Sequence, residues 1–274
     1  MFPLRKLIGL TFLSRLRNDR RGESQWNIEP KTSSKATSLS RFLAPDWLLR
    51  LRDGNNTSQQ KKCAFSSDLA RIDLKSDDPF DLFKDWLQEA KTFSTGLPSS
   101  FCLATVSKEL NVSARHLVLR EYSSEGFVFM TDDRSRKVDD LKNVPSAAMC
   151  FLWSYYNDTQ QHVARQVRVE GAVQTLPREK FQHLYDREPF YCKIRSHICH
   201  QDQETDWDDL KKRHDELVEE ARNGNKSLPM PDYVGAYVLI PSMMEFYHAR
   251  DCLIADRLKF SKADKAWTHK RICA

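Results

Sequence analysis

FCLATVSKELNVSARHLVLREYSSEGFVFMTDDRSRK, residues 101–137, is the stretch whose reading decides the fold. Three runs of β-forming residues, 101–106, 114–120 and 127–131, alternate with polar turn segments, and this predicts an antiparallel meander. The stretch closes on Ser135-Arg136-Lys137, with Val138 and Leu141 following at helical spacing. Ser135 is therefore placed to cap a helix over 135–142, and the two cations fall in its first turn. Unpaired backbone N–H groups at that end attract an anion, so amides and two cations together suit a phosphate. Arg115, on the middle run, reaches the same place if the runs pair as neighbours, and it adds a planar fork of donors. A solvated basic turn is the plainer reading of the same residues.

Outward from this centre, Asp77-Asp78-Pro79 starts a helix, with Phe80, Phe83, Trp86, Leu87 and Ala90 on one face. Downstream, 147–153 is an uninterrupted apolar run of the kind buried on both faces. A polar loop follows, and then 166–173, QVRVEGAV, alternates with Val167 and Val169 on one face and Gln166, Arg168 and Glu170 on the other. Pro177 opens a short helix through Phe181, Leu184 and Tyr185. A longer one over about 206–221 turns Trp207, Leu210, Leu217 and Val218 inward and stops at Asn223-Gly224. Two further strands, 235–240 and 243–247, are broken at Pro241-Ser242, and a last one lies around 257–260. Short strands dominate and no G-x-G-x-x-G or P-loop is present, so the fold class is α+β, mainly β: a compact barrel with peripheral helices.

The 274 residues are 40% apolar, enough for one substantial domain with a long N-terminal extension. Of the formal net charge of +5, six Lys/Arg against two Asp/Glu place most in residues 1–25. The nearly neutral body argues against a nucleic-acid-coating surface. Arg5, Lys6, Arg15, Arg17, Arg20 and Arg21 are interleaved with Leu, Ile and Phe, which resembles a mitochondrial transit segment, and a basic tail is the alternative. Residues 26–73 read as a flexible extension and 74–274 as the folded domain. Neither a membrane-spanning run nor a secretory signal is legible. Seven scattered cysteines without a C-x-x-C pair form no disulfide framework and suit a reducing compartment, so an intracellular place, cytoplasmic or mitochondrial, is expected. Cys192, His197, Cys199 and His200 are zinc-type ligands, but their spacing matches no ligand pattern and an ordinary loop accounts for them. No metal is expected.

Taken together, Ser113-Ala114-Arg115, Ser135-Arg136-Lys137, the string R-Q-V-R-V-E-G at 165–171, Leu176-Pro177, His200-Gln201 and M-E-F-Y at 244–247 resemble the pyridoxine/pyridoxamine 5'-phosphate oxidase family. The resemblance runs from about Asp77 to the C-terminus, where Trp267 and Arg271 continue it. It implies an FMN-binding split β-barrel, a homodimer with flavin sites at the subunit interface, and oxidation of B6 phosphates to pyridoxal 5'-phosphate with oxygen as acceptor. It assigns Arg115, His116, Leu117 and Val118 to a flavin-binding strand, Met130 and Thr131 to the next contact, and Arg136 and Lys137 to the flavin phosphate. Gln166, Arg168, Gln201, Asp202, Tyr247 and Arg257 stand at further flavin positions, and Arg120 at a substrate-phosphate position.

The chain also departs from the family pattern. Tyr247 stands where a tryptophan is usual, a mild change for a flat aromatic surface. Asp202 replaces a serine and brings a negative charge to the flavin. The family's remaining substrate-phosphate positions, a tyrosine, an arginine and a serine, read Leu184, Glu188 and Cys192; Tyr185 and Arg187 stand one residue away, about 100° round a helix, and a slip of the local alignment is the alternative. Its R-x-H reads Leu253-Ile254-Ala255. There is also an insertion between Trp153 and Gln166. Two function classes follow: an FMN-dependent oxidase of the vitamin B6 type with a degraded substrate site and no assignable catalytic residue, or an FMN-binding homologue whose catalysis is lost or redirected.

Overall fold

The computed structural model describes residues 67–224, 226–264 and 266–274, so the basic segment and most of the N-terminal extension lie outside the described residues. The elements are α1 (Pro79–Phe93), β1 (Ser100–Val106), β2 (Val112–Ser123), β3 (Gly126–Asp132), α2 (Arg136–Asn143), β4 (Ser146–Tyr156), β5 (His162–Thr175), a 3₁₀ turn (Arg178–Lys180), α3 (Gln182–Asp186), α4 (Phe190–Ile198), α5 (Trp207–Arg222), β6 (Val234–Arg250), β7 (Asp256–Ala263) and β8 (Ala266–Ile272). The sheet runs β3-β2-β1-β4-β5-β6-β7-β8, and β3 also pairs with β6. Six strands thus close on themselves, which removes their free edges, while β7 and β8 continue past the closure as a flap. This is the mainly β barrel expected from the sequence.

Alternation fills the barrel. Phe101 and Leu103 of β1, Phe127 and Phe129 of β3, and Val167 and Val169 of β5 point inward and are fully buried. Helix α1 begins as its sequence predicts: the Asp78 carboxylate accepts from Phe80 N at 2.9 Å and Pro79 occupies the first turn. Its Phe83, with no exposed surface, sits 5.0–6.0 Å, ring centre to ring centre, from Tyr122, Phe127, Phe151 and Trp153.

Several expectations are corrected. The 147–153 run belongs to a strand with a single buried face, because Ala148, Cys150, Leu152 and Ser154 alternate outward; an apolar composition cannot distinguish one covered face from two. The strands on either side of Pro241 are one 17-residue strand, with Pro241 opposite Gly171 where a bulge shifts the β5–β6 register and no ladder donor is required. Residues read as a loop around Cys192 and His197 form α4. On α5 only Leu217 is buried, and Trp207 is exposed. The hairpin β7–β8 was not expected as a pair, its polar outer strand carrying little apolar signal. The segment between Trp153 and Gln166, read as an insertion, forms the end of β4, a turn and the start of β5, paired out to Tyr156 and His162.

The end of the presumed extension is packed down. Leu69 bridges Ile254, Ile72 N donates to the Asp256 carboxylate at 2.7 Å, and Arg271 donates both to that carboxylate and to Ile72 O. Cys252 is disulfide-bonded while five other described cysteines are free, a cross-link that spacing alone could not reveal.

His248 on β6 packs beside Trp86 of α1, nearly buried, with its Nδ1 lacking a hydrogen-bond partner. Burial, with Arg165 and Arg250 nearby, pushes its pKa from 6.5 down to about 4. The unfolded chain therefore binds a proton between those values that the folded chain refuses. Stability is intact above pH 6.5 and falls as pH drops toward 4, by on the order of 3 kcal/mol from this group. Urea unfolding at pH 7 and pH 4.5 is expected to show a smaller pH-dependent loss in His248→Gln than in wild type; equal losses would refute the assignment.

Candidate functional site

The start of α2 is where the sequence-predicted cations meet. Ser135 stands at the cap position, but its hydroxyl donates to Asp132 O at 2.7 Å instead of capping the helix. The first N–H is taken from outside: Arg136 N donates to Asp202 Oδ2 at 2.9 Å. Asp202 holds a left-handed backbone, φ +67°, which aspartate tolerates better than most residues. Lys137, buried, donates to Gln201 Oε1. Burial pushes its amine below the usual lysine range, and Asp202 opposes that shift.

Arg115 enters from β2. Its Nη1 donates to Thr105 Oγ1 at 2.7 Å and to Leu103 O at 3.2 Å, while Thr105 donates to the buried Asp140. Burial lowers the Arg115 pKa, Asp140 counters it, and Arg136 and Asp202 are close enough to act on it as well. The three cations are thus brought together, with the Asp202 carboxylate among them. Arg134 grips Asp132 through two hydrogen bonds, lies 3.5 Å over the Tyr233 ring and donates to Cys199 O, which ties the 199–202 loop to this end of the barrel.

Beside this cluster opens a cleft of about 270 Å³ between β2, β3 and the α3–α4 segment. His116, Leu117, Val118, Met130, Thr131 and Gln201 line it, and the Thr131 hydroxyl is buried there without a hydrogen-bond partner. Arg120 and Glu188 also line it, joined by an ion pair of 2.6 Å. Cys192 faces the cleft, whereas Leu184 packs into a small apolar cluster with Phe181 and Met230. Tyr185 reaches the lining, its hydroxyl held by Ser196 and Pro229 O; Arg187 is turned to solvent. Arg195, Ser196 and Tyr233 carry no motif in the sequence. Arg134 is marked only by its adjacency to the S-R-K run.

The remaining predicted residues form a second group on β5, β6 and β7. Gln166 is paired with Tyr247, Tyr247 with Arg257, and the Arg257 guanidinium lies 5.4 Å over the Tyr247 ring. Buried Glu245 joins Arg168, at 3.7 Å, and Arg257, at 3.9 Å. Among the described residues no hydrogen bond or ion pair links this group to the first. Strands β1 and β4 lie between β2 and β5, a separation of roughly 14 Å at about 4.8 Å per strand. Cys192, His197, Cys199 and His200 do not converge: among the described residues no three His, Cys, Asp or Glu side chains form a metal-binding group.

Residues 87–210 match the family model "Pyridoxamine 5'-phosphate oxidase", and residues 235–274 match "Pyridoxine 5'-phosphate oxidase C-terminal dimerisation region". The pyridoxine/pyridoxamine 5'-phosphate oxidase of Bombyx mori is 33% identical over 194 residues, 70% of this chain and 73% of that protein. That of Psychromonas ingrahamii is 31% identical over 198 residues, 72% of this chain and 88% of its own. Among solved structures, PhzG from Burkholderia lata, in complex with tetrahydrophenazine-1-carboxylic acid, superposes with a TM-score of 0.66 at 22% identity. It covers 76% of this chain and 100% of that one. A pyridoxamine 5'-phosphate oxidase-related, FMN-binding protein from Nostoc punctiforme gives 0.55 at 16% identity, covering 74% and 100%. These two show the shared fold. With a barrel of this topology and the two matched regions spanning its length, the chain belongs to the pyridoxine/pyridoxamine 5'-phosphate oxidase family.

Proposed function

We propose that this protein binds FMN and is an oxidase of its family's type whose site for B6 phosphates is degraded. The observation that carries the reading is the convergence of Arg115, Arg136 and Lys137 on the start of α2. Two of these are substantially buried cations, and together with the helix N-terminus they fit a phosphate. Bound FMN would supply the two-electron acceptor that oxygen then reoxidises. The chain's own residues hold and orient it: the three cations at the phosphate, and the unpartnered Thr131 hydroxyl and the β2 strand along the cleft.

Gln166, Arg168, Tyr247 and Arg257 are separated from this cluster by β1 and β4, and in the proposed arrangement they complete the flavin site of a second copy. The matched dimerisation region supports that arrangement. The alternative, a flavin-binding homologue without B6 oxidase activity, is favoured by Leu253-Ile254-Ala255, which offers no ionisable group over the flavin.

Reconstitution with excess FMN is expected to give a yellow protein whose flavin fluorescence is quenched on binding. Arg136→Glu, which places a carboxylate beside the phosphate, weakens retention by about 10²-fold or more with the fold intact. Asp202→Ser removes a competing anion and tightens it about tenfold. Unchanged flavin affinity in Arg136→Glu would show that the phosphate lies elsewhere, and a sedimenting monomer with full flavin would remove the dimer.

A further inference from the structure

Within the cleft, Arg120 is neutralised by Glu188 at 2.6 Å, with both side chains largely removed from water at 25% and 6% exposure. The ion pair uses one carboxylate oxygen. The other, Glu188 Oε2, is buried with no hydrogen-bond partner. A buried, unpartnered carboxylate oxygen is unfavourable, and a ligand that donates to it relieves that penalty. We infer that the cleft selects a ligand presenting a hydrogen-bond donor to Glu188, a primary alcohol or a protonated amine, where the family presents a phosphate ester. The inference rests on the flavin-oxidase reading and names the substrate class of that site.

A phosphate dianion has no proton to offer Oε2 and meets the carboxylate's charge. Arg120 offsets this only in part: with its Nη2 on Glu188 and its Nε buried without a partner, the two side chains make a net neutral pair rather than the cationic site a phosphate needs. Arg195 also lines the cleft, but it is exposed, where a cation is screened and contributes little. Tyr185 is a neutral phenol that brings no charge, and its hydroxyl already donates to Pro229 O.

The test is calorimetric titration of the FMN-loaded dimer with pyridoxine and with pyridoxine 5'-phosphate, which differ at the group in question. Pyridoxine is expected to bind at least about tenfold more tightly. In Glu188→Gln, which keeps the side chain's shape, that preference shrinks. In Glu188→Arg it reverses toward the phosphate. Tighter phosphate binding by the wild type, no binding of pyridoxine, or a preference unmoved by both variants would overturn the inference. Tight phosphate binding lost in Arg195→Ala would assign the phosphate to the rim cation and overturn it equally. The flavin spectrum recorded before each titration scores the underlying reading separately: a protein that holds no FMN defeats that reading and this inference with it, whereas FMN-loaded protein without the preference for pyridoxine overturns this inference alone.

Discussion

FMN-loaded protein is expected to oxidise pyridoxine 5'-phosphate and pyridoxamine 5'-phosphate at least about 10²-fold, and up to about 10⁴-fold, more slowly than a family member with an intact site, since a positioned proton-transfer group contributes that much. Two features of this chain act together. Where the resemblance places the family's R-x-H this chain has Leu253-Ile254-Ala255, and the Ile254 backbone is paired with residues 68–70: Ile254 N donates to Asp68 O and Ala70 N to Ile254 O, both at 2.8 Å. The second is Glu188 in the cleft. Paired with Arg120 at 2.6 Å, it leaves a net neutral pair where a phosphate needs a cation, so the phosphate loses attraction that at about 4 Å and an effective dielectric of 20 amounts to about 4 kcal/mol per unpaired charge. An oxidase assay with both substrates, beside a triple variant Glu188→Arg, Leu253→Arg, Ala255→His, checks this: the variant is expected to gain rate. A wild-type rate near that of an intact relative would refute it.

Gly171→Ala is expected to destabilise the barrel by more than about 4 kcal/mol, a loss reserved for a few severe mechanisms. Gly171 closes the R-Q-V-R-V-E-G string, and a Cβ on it would sit 2.0 Å from Ile240 O and 2.9 Å from the Pro241 Cα. Both are backbone atoms in the middle of β6, so no rotamer change relieves the overlap. The strands would have to part at the bulge where Glu170 and Gly171 shift register. Gly96→Ala is the control, since nothing lies within 4 Å of its Cβ and its change is expected within about 0.5 kcal/mol. Urea midpoints of the two variants decide the matter; similar midpoints would refute the close approach.

Much of the barrel was legible because its signals are local. The meander at 101–131, the acid-proline start of α1 and the alternation around Val167 and Val169 each follow from spacing over a few residues, and each is present. The readings that changed depend on distant partners. Whether Ala148 and Cys150 are covered depends on what lies over β4, and whether Pro241 ends a strand depends on the bulge at Gly171. The same division runs through the site. Arg136 and Lys137 announce themselves as a charged helix start, and Arg115 follows if β2 is its neighbour. That Asp202 takes the first N–H of α2, and that Arg120 meets Glu188, requires the 188–202 segment to fold back onto α2 and β2, which no local spacing encodes.

Closure of the ring by β3 and β6 has a consequence for how the molecule assembles. The residues that pair there, from Phe127 with Leu239 to Asp132 with Val234, are roughly a hundred positions apart along the chain. The hairpins β1–β2, β2–β3, β4–β5 and β7–β8 join near neighbours and form on microsecond timescales. The β3–β6 seam instead has to gather a loop containing α2 through α5, and that loss of chain entropy is met before any seam contact rewards it. Refolding is therefore governed by a long-range search, and until the seam closes β3 and β6 carry open edges on which two nascent chains can exchange strands.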